Sequence, residues 1–274
     1  MRLYHNLQSM DLFRRYSENL KTQSTAFGRV SSGVKVQTSK DDPNAMAESQ
    51  KLKLQVRGLQ MASRNMQDGM SMLQTADSSM QNIGDSVQRI RELMVQSGGA
   101  NSDEEKKIIQ NEIDQMLDHI NKVAEYTETN GVKLLSGSNN ATSKTSIQVG
   151  AMAGESLDIP MYNLTTTGLG IADVKTTDID NSLVKLDGAV DAIEKYRAKY
   201  GAISNRLEST YNNTTDMSTR IEGAESELTG ADIALEMMEY TKASVLVEAG
   251  IAMMTQTNKF PQDVLRILEN VKSR

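Results

Sequence analysis

From Leu52 to Met94 an apolar residue recurs at every third or fourth position without a gap: Leu52, Val56, Leu59, Ala62, Met66, Met70, Leu73, Ala76, Met80, Ile83, Val87, Ile90 and Met94. Forty-two residues are covered in twelve steps, 3.5 residues each on average. That spacing predicts one unbroken helix with a single stripe turned towards partner helices. A repeat of 3.5 rather than 3.6 also predicts a slow left-handed supercoil. The C-terminal half carries a second series: Leu183, Leu186, Val190, Ile193, Tyr196, Tyr200, Ile203, Leu207, Tyr211, Thr214, Met217, Ile221, Ala224 and Leu228, with Thr214 its one polar member. Two rods of matching length can lie against each other. A chain built for length suits a structural role better than a pocket.

Composition agrees with thin helical bundles. Aromatics are 4% of the 274 residues, Trp is absent, and the three prolines are Pro43, Pro160 and Pro261. Long helices tolerate few prolines, and thin bundles have little use for bulky aromatics. The 17 methionines suit irregular core filling. A formal net charge of −6 offers no basic footprint for nucleic acid and no polybasic run for a membrane surface. Absence of Cys removes disulfides, thiolate metal sites and cysteine nucleophiles together. Residues Met1–Asn6 lack the apolar core of a secretory signal. Ala249–Asn258, the longest uncharged apolar-leaning stretch near the end, is too short to span a bilayer.

Residues 1–40 are weakly patterned. Leu3, Leu7, Met10 and Phe13 make one short face, and Leu20, Phe27 and Val30 are thinly spread among polar residues. Ordering each residue costs ~1–2 kcal/mol of backbone entropy, more than so few apolar side chains offset, so this segment needs a partner to become rigid. Gly33 breaks the helix, and Asp41 or Asp42 caps the next one ahead of Pro43. The long helix then runs from about Asn44 to Val95 and stops at Gly98-Gly99. Ser102 and Glu105 form a capping box for a third helix with Ile109, Ile113, Met116, Ile120 and Val123 on one face, closed by Asn130-Gly131. Thr145–Val149 and Leu157–Met161 alternate as half-buried strands and read as a hairpin, while the polar stretch 162–181 should wander over the surface. The second rod covers about 183–228. After Gly230, residues 231–260 place Ile233, Met237, Val245, Leu246, Ile251 and Met253 on nearly every helical face. A helix apolar all round is deeply buried or covered by other molecules, and a chain without a thick core favours other molecules.

At these residues the chain resembles bacterial flagellin. The matching segments follow the family's order: Val30–Val36 with Asp41-Asp42, then Val56–Leu59, Ala62–Asn65 with Gln67–Gly69, Gln74–Ala76, and Gln88–Leu93 with Val95-Gln96. They continue with Glu112–Gln115, Thr129–Gly131 before Leu134-Leu135, Arg197-Ala198, Asn205–Leu207, Thr241-Lys242, Glu248–Gly250 with Ala252-Met253, and Pro261–Leu265. Leu3–Asn6 follows the family's opening only loosely, and Glu269–Arg274 extends beyond Ile267-Leu268. The short segment between the rods resembles a minimal flagellin without large outer domains. The hook–filament junction protein, a related and more divergent family, is the alternative. A signalling coiled coil is disfavoured by the Gly/Ser-rich region 136–182.

The resemblance implies a mainly all-α chain: long antiparallel coiled-coil-like rods, a small β-hairpin at about 145–161, and paired helical ends. Its terminal domain would be discontinuous, residues 1–42 with 230–274, and its rod domain would cover 43–229. It implies a subunit of the extracellular filament, exported uncleaved by the flagellar apparatus with a chaperone and meeting filament cap and hook-associated proteins. Its main partner would be further copies of itself. Expected subunit-interface residues are Leu3, Leu7, Met10, Phe13, Ile233, Met237, Val245, Leu246, Ile251, Met253 and Phe260. Arg89, Leu93 and Glu112 match positions recognised by a leucine-rich Toll-like innate receptor.

Catalysis has little to work with. His5 and His119 are the only histidines, no His-Glu-x-x-His occurs, and His119 among Asp114, Asp118 and Asn121 reads as a solvated helix face. Gly168-Leu169-Gly170 lacks the third glycine of a dinucleotide site and reads as a loop. The Ser/Thr-rich patches 136–146 and 162–167 read as bare polar loops in preference to glycosylation sites. No catalytic residue, metal or cofactor is expected.

Overall fold

The computed structural model describes residues 7–99, 102–136 and 144–272. Five helices occur among them: α1 Leu7–Ser32, α2 Pro43–Gly98, α3 Asp103–Tyr126, α4 Ile179–Thr229 and α5 Ile233–Lys272. Two antiparallel ribbons complete the fold, β1 Glu128–Thr129 with β2 Val132–Lys133, and β3 Lys144–Gln148 with β4 Ser156–Pro160. The chain divides into two compact units. One holds both chain ends, up to Lys53 and from Glu222 onward, and the other spans Leu54–Ile221.

In the Leu54–Ile221 unit the stripe of α2 is the core. Of the thirteen positions in the series, eleven are buried, and Leu52 and Met70 are partly so. Met66, Met80, Ile83, Val87, Ile90 and Met94 are wholly shielded from solvent. They share one cluster with Ile113 and Ile120 of α3 and Leu186, Ile193 and Leu207 of α4. Polar rungs beside the seam show α2 and α4 running antiparallel. Arg91 Nε meets Asp187 at 2.7 Å, Arg197 Nε meets Asp77 at 3.0 Å, and the Gln67 side-chain amide donates to the Tyr211 hydroxyl at 3.0 Å. The stripe of α4 holds to Thr214 and then slips by one residue. Met217 is 52% exposed while Ser218 is buried in its place. Small polar residues, Thr214 and Ser218, occupy the inner line there, so apolar identity stops marking which residue faces inward.

Helix starts follow the expected chemistry. Asp42 caps α2, its Oδ1 accepting from the Asn44 and Ala45 amides at 2.9 and 3.0 Å. Ser102 caps α3, its hydroxyl accepting from the Glu105 amide at 3.2 Å. The end of α3 differs from expectation. The helix stops at Tyr126, and Asn130-Gly131, at φ of 52° and 75°, turns the β1–β2 hairpin. Two successive positive φ values are what a two-residue hairpin turn requires, and Asn-Gly meets that demand better than it caps a helix.

The β3–β4 hairpin forms with each strand one residue earlier than expected. Ile147 pairs with Leu157, and Thr145 pairs with Ile159. It lies along α2 where two glycines make room: a Cβ on Gly69 would stand 2.6 Å from Ile147 Cδ1, and one on Gly58 would stand 2.9 Å from Ala151 Cβ.

The stretch after the hairpin overturns the expectation of a wandering surface loop. Met161, Leu164, Ile171 and Val174 are buried in the common core. Its backbone is held by α3: the Asn121 side-chain oxygen accepts from both the Thr166 amide and hydroxyl at 3.0 Å. Gln110 accepts from the Thr176 amide at 2.8 Å and donates to the Val174 carbonyl at 3.2 Å. A polar strap with a few apolar anchors satisfies its backbone through side chains of a neighbouring helix rather than through water. The Ser/Thr patch 162–167 belongs to this strap; most of the 136–146 patch lies outside the described residues. Leu164→Ala should therefore cost as much stability as Ile83→Ala in the rod core, ~2–5 kcal/mol each by chemical denaturation. A surface loop would lose under ~0.5 kcal/mol.

Candidate functional site

The unit formed by the two chain ends begins at two helix breaks sewn together. Gly33, at φ 70°, ends α1, its amide donating to the Arg29 carbonyl at 2.8 Å. Lys35 donates to the Thr229 carbonyl at 2.6 Å, and Ala231 donates to the Gly33 carbonyl at 3.0 Å, making an antiparallel bridge between Val34 and Gly230. Asp232 then caps α5 by accepting from the Ala234 and Leu235 amides at 2.9 and 3.2 Å. Asp41 closes the 37–41 turn. Hydrogen bonds from the Thr38 amide and hydroxyl hold its carboxyl below the usual carboxylate range.

Beyond the breaks α1 lies on α5. Arg29 Nη1 contacts Glu236 Oε1 at 3.1 Å, the Phe27 and Tyr240 rings are 5.9 Å apart, and Tyr16 lies beside Gly250. Positions 29, 27 and 16 thus meet 236, 240 and 250 in turn, which makes the pair antiparallel. Apart from Gly28, Arg29 and Ser244, the shielded residues of each helix follow a 3-4 repeat. On α1 they are Ser9, Leu12, Tyr16, Asn19, Gln23, Ala26 and Val30; on α5 they are Glu236, Tyr240, Ala243, Val247, Gly250, Met254 and Thr257. This is a coiled-coil seam built mainly from small and polar side chains. Ala26, Ala243 and Glu236 are its fully buried members among the described residues. Sequence reading missed it because apolar periodicity was the signal sought, and this seam keeps the spacing while small and polar residues interrupt its apolar positions.

Many of the large apolar residues of both helices lie outside that seam. Leu7, Met10 and Phe13 on α1 are exposed, as are Ile233, Met237, Val245, Leu246, Ile251, Met253 and Phe260 on α5. Phe13 is 60% and Phe260 68% exposed, where a self-sufficient helix pair would hide its aromatics first. Leu3 lies outside the described residues. So many exposed large apolar residues on one helix pair mark surface that another molecule covers.

Arg89 and Glu112 come together in the other unit. Arg89 contacts Glu92 at 3.0 Å and Glu112 at 3.4 Å, and hydrogen bonding to Glu92 raises its guanidinium pKa. Leu93 does not join them on the surface: it is 2% exposed and forms part of the core. With α3 covering a second line of α2, both Leu93 and Met94 turn inward. His119 is exposed on α3, and no cluster of metal-ligating side chains occurs among the described residues.

Family profiles describing the bacterial flagellin N-terminal helical region and the bacterial flagellin C-terminal helical region match residues 3–140 and 183–268. Flagellin of Bacillus subtilis (strain 168) is 33% identical over 303 residues, covering 98% of this chain and all of that protein. The flagellar filament 33 kDa core protein of Treponema phagedenis is 35% identical over 286 residues with the same coverage. A solved structure described as a flagellar hook-associated protein from Vibrio parahaemolyticus superposes with a TM-score of 0.59 at 14% identity, covering 69% of this chain and all of that one. At that identity the likeness speaks for the fold alone.

One carboxylate ties the start of α2 to the end of α4 within the terminal unit. Glu225 Oε1 accepts from Ser49 at 2.9 Å and Thr229 at 3.1 Å, and meets Lys53 Nζ at 3.2 Å. Burial works to raise its pKa, but the bonds from Ser49, Lys53 and Thr229 outweigh it and the net shift is downward. A depressed folded pKa gives stability that is present above the unfolded value and is lost as pH falls through the folded one. Protection against amide exchange around 45–53 and 225–230, relative to the unstructured rate at each pH, should therefore fall on acidification below the ordinary glutamate range. Glu225→Gln should flatten that pH dependence; an unchanged acid profile in the variant would assign the loss to other carboxylates.

Proposed function

The chain belongs to the bacterial flagellins, structural subunits of the extracellular flagellar filament, and from that premise we propose that the α1–α5 pair is the surface through which copies of the chain enclose one another. The observation that carries this reading is the make-up of the pair: more than half of its seam positions are small or polar, while many of its large apolar residues are exposed. A seam in which Ser, Asn, Gln, Thr, Ala and Gly take about half of the positions releases less free energy on pairing than an apolar one, while ordering each residue costs ~1–2 kcal/mol. Covering Phe13, Val245, Met253, Phe260 and their neighbours with sister copies supplies what the pair lacks, so the ends become rigid as assembly proceeds.

In this reading residues 1–42 and 230–274 form the inner part of the filament, and 43–229 form the rod outside it. The subunit performs no catalysis. Ends that gain rigidity late suit passage through a narrow export channel, so export in this reading is by the flagellar apparatus, aided by a chaperone. Filament cap and hook-associated proteins meet the same terminal helices. Arg89 and Glu112, exposed and linked across α2 and α3, are the proposed contacts for a leucine-rich Toll-like receptor, with Leu93 excluded by its burial.

Substituting Val245 or Met253 with Glu should leave the helicity of the monomer unchanged and abolish filaments in negative-stain images of concentrated subunit. Removing the first 40 residues, and with them α1, should likewise abolish filaments. Normal filaments from both Glu variants, or slow amide exchange throughout 7–30 and 235–260 in isolated monomer, would overturn the proposal.

A further inference from the structure

Three tyrosines gather where the hairpin ends and the strap begins. Tyr162 follows β4 by two residues, and Tyr196 and Tyr200 stand one turn apart on α4. The Tyr162 and Tyr196 rings are stacked, with centroids 3.9 Å apart and planes 14° from parallel. Tyr200 is tilted against Tyr162 at 5.6 Å, and its hydroxyl donates to the Pro160 carbonyl at 2.9 Å, pinning the backbone that carries Tyr162. The ammonium of Lys199 lies 5.6 Å from the Tyr162 ring centroid. Tyr162 and Tyr196 are each partly open to solvent, whereas Tyr200 is buried.

This geometry points to Tyr162 and Tyr196 as an intramolecular dityrosine site, a pair of phenols poised to be joined covalently by a small one-electron oxidant. Two equivalents of oxidant each remove one electron, and each phenol releases its hydroxyl proton, leaving two phenoxyl radicals. A carbon–carbon bond then forms between the ring positions next to the two oxygens. The hydrogen on each joined carbon shifts to its oxygen and both phenols are restored. The net change is the loss of two hydrogens as two protons and two electrons, the electrons ending on the reduced oxidant. Radical coupling between separate tyrosines is bimolecular and slow at low radical concentration. Rings already in van der Waals contact make it effectively unimolecular, the same advantage of proximity that oriented reactants enjoy elsewhere. Tyr200 is excluded from the pair by its tilt and its burial. Burial also pushes its phenol pKa up, so it gives up its proton with difficulty. The product would staple the exit of the hairpin to α4 and close the 162–196 segment into a covalent loop.

The test is photo-oxidation of dilute, full-length monomer with a ruthenium tris-bipyridyl complex and persulfate. The expected result is blue dityrosine fluorescence, a monomer lighter by two hydrogens, and a cross-linked peptide joining 162 to 196. Tyr196→Phe and Tyr162→Phe, which keep the ring and the stack, should each abolish that product. Tyr200→Phe should retain it. Dityrosine that persists in Tyr196→Phe, maps to other tyrosines such as the exposed Tyr126, or appears only between chains would overturn the proposal. So would its absence in the unaltered protein when free tyrosine in the same solution is coupled.

Discussion

Burial of one uninterrupted line of side chains on α2 underlies the Leu54–Ile221 unit. Met66, Met80, Ile83, Val87, Ile90 and Met94 are fully enclosed although no layer of the unit is thick. α3, α4, the hairpin and the strap each contribute apolar residues to that same cluster. A thin bundle has few ways to hide an apolar atom, so each covering element is needed along the length it covers. The glycines at 58 and 69 follow from this, since they let the hairpin approach the helix more closely than a Cβ would allow. The polar rungs from Arg91 and Arg197 are half-open to solvent and add little energy, but they fix which residue of α4 faces which residue of α2.

The unit made by the chain ends uses the opposite arrangement of the same repeat. Its heptads bring backbone close to backbone through Ala26, Ala243 and Gly250, with Asn19, Gln23 and Glu236 on the seam. Polar seam residues favour one register at a cost in stability. One fold therefore contains a seam that is stable alone and a seam that chiefly sets geometry. The difference lies in side-chain chemistry, because the spacing of the two is alike.

What could be read from the amino-acid sequence follows this division. The α2 stripe was legible because hydrophobicity and spacing coincide at every step from Leu52 to Met94. The caps at Asp42 and Ser102 were legible because short polar side chains ahead of a helix have few other roles. The strap was not: Leu164, Ile171 and Val174 share neither a helical nor a strand period, and the side chains that bind its backbone, Gln110 and Asn121, lie more than forty residues away. The terminal seam escaped because residues such as Ser9, Asn19 and Thr257 carry no hydrophobic signal, although the outward apolar residues flanking it were identified. The burial of Leu93 beside Met94 was not legible, because a stripe read for one partner helix does not reveal that a second partner widens it.

The ion pair between Arg29 and Glu236 joins residues 207 positions apart, and the bridge at Val34 and Gly230 joins another widely separated pair. A nascent chain holding only its first helix has nothing to set it against until almost the last stretch has been made. Any product that stops before residue 230 carries α1 without its mate and without the bridge that orients it. Completeness of translation is thereby checked by geometry: a prematurely terminated copy cannot assemble the very end that would let it join a growing structure.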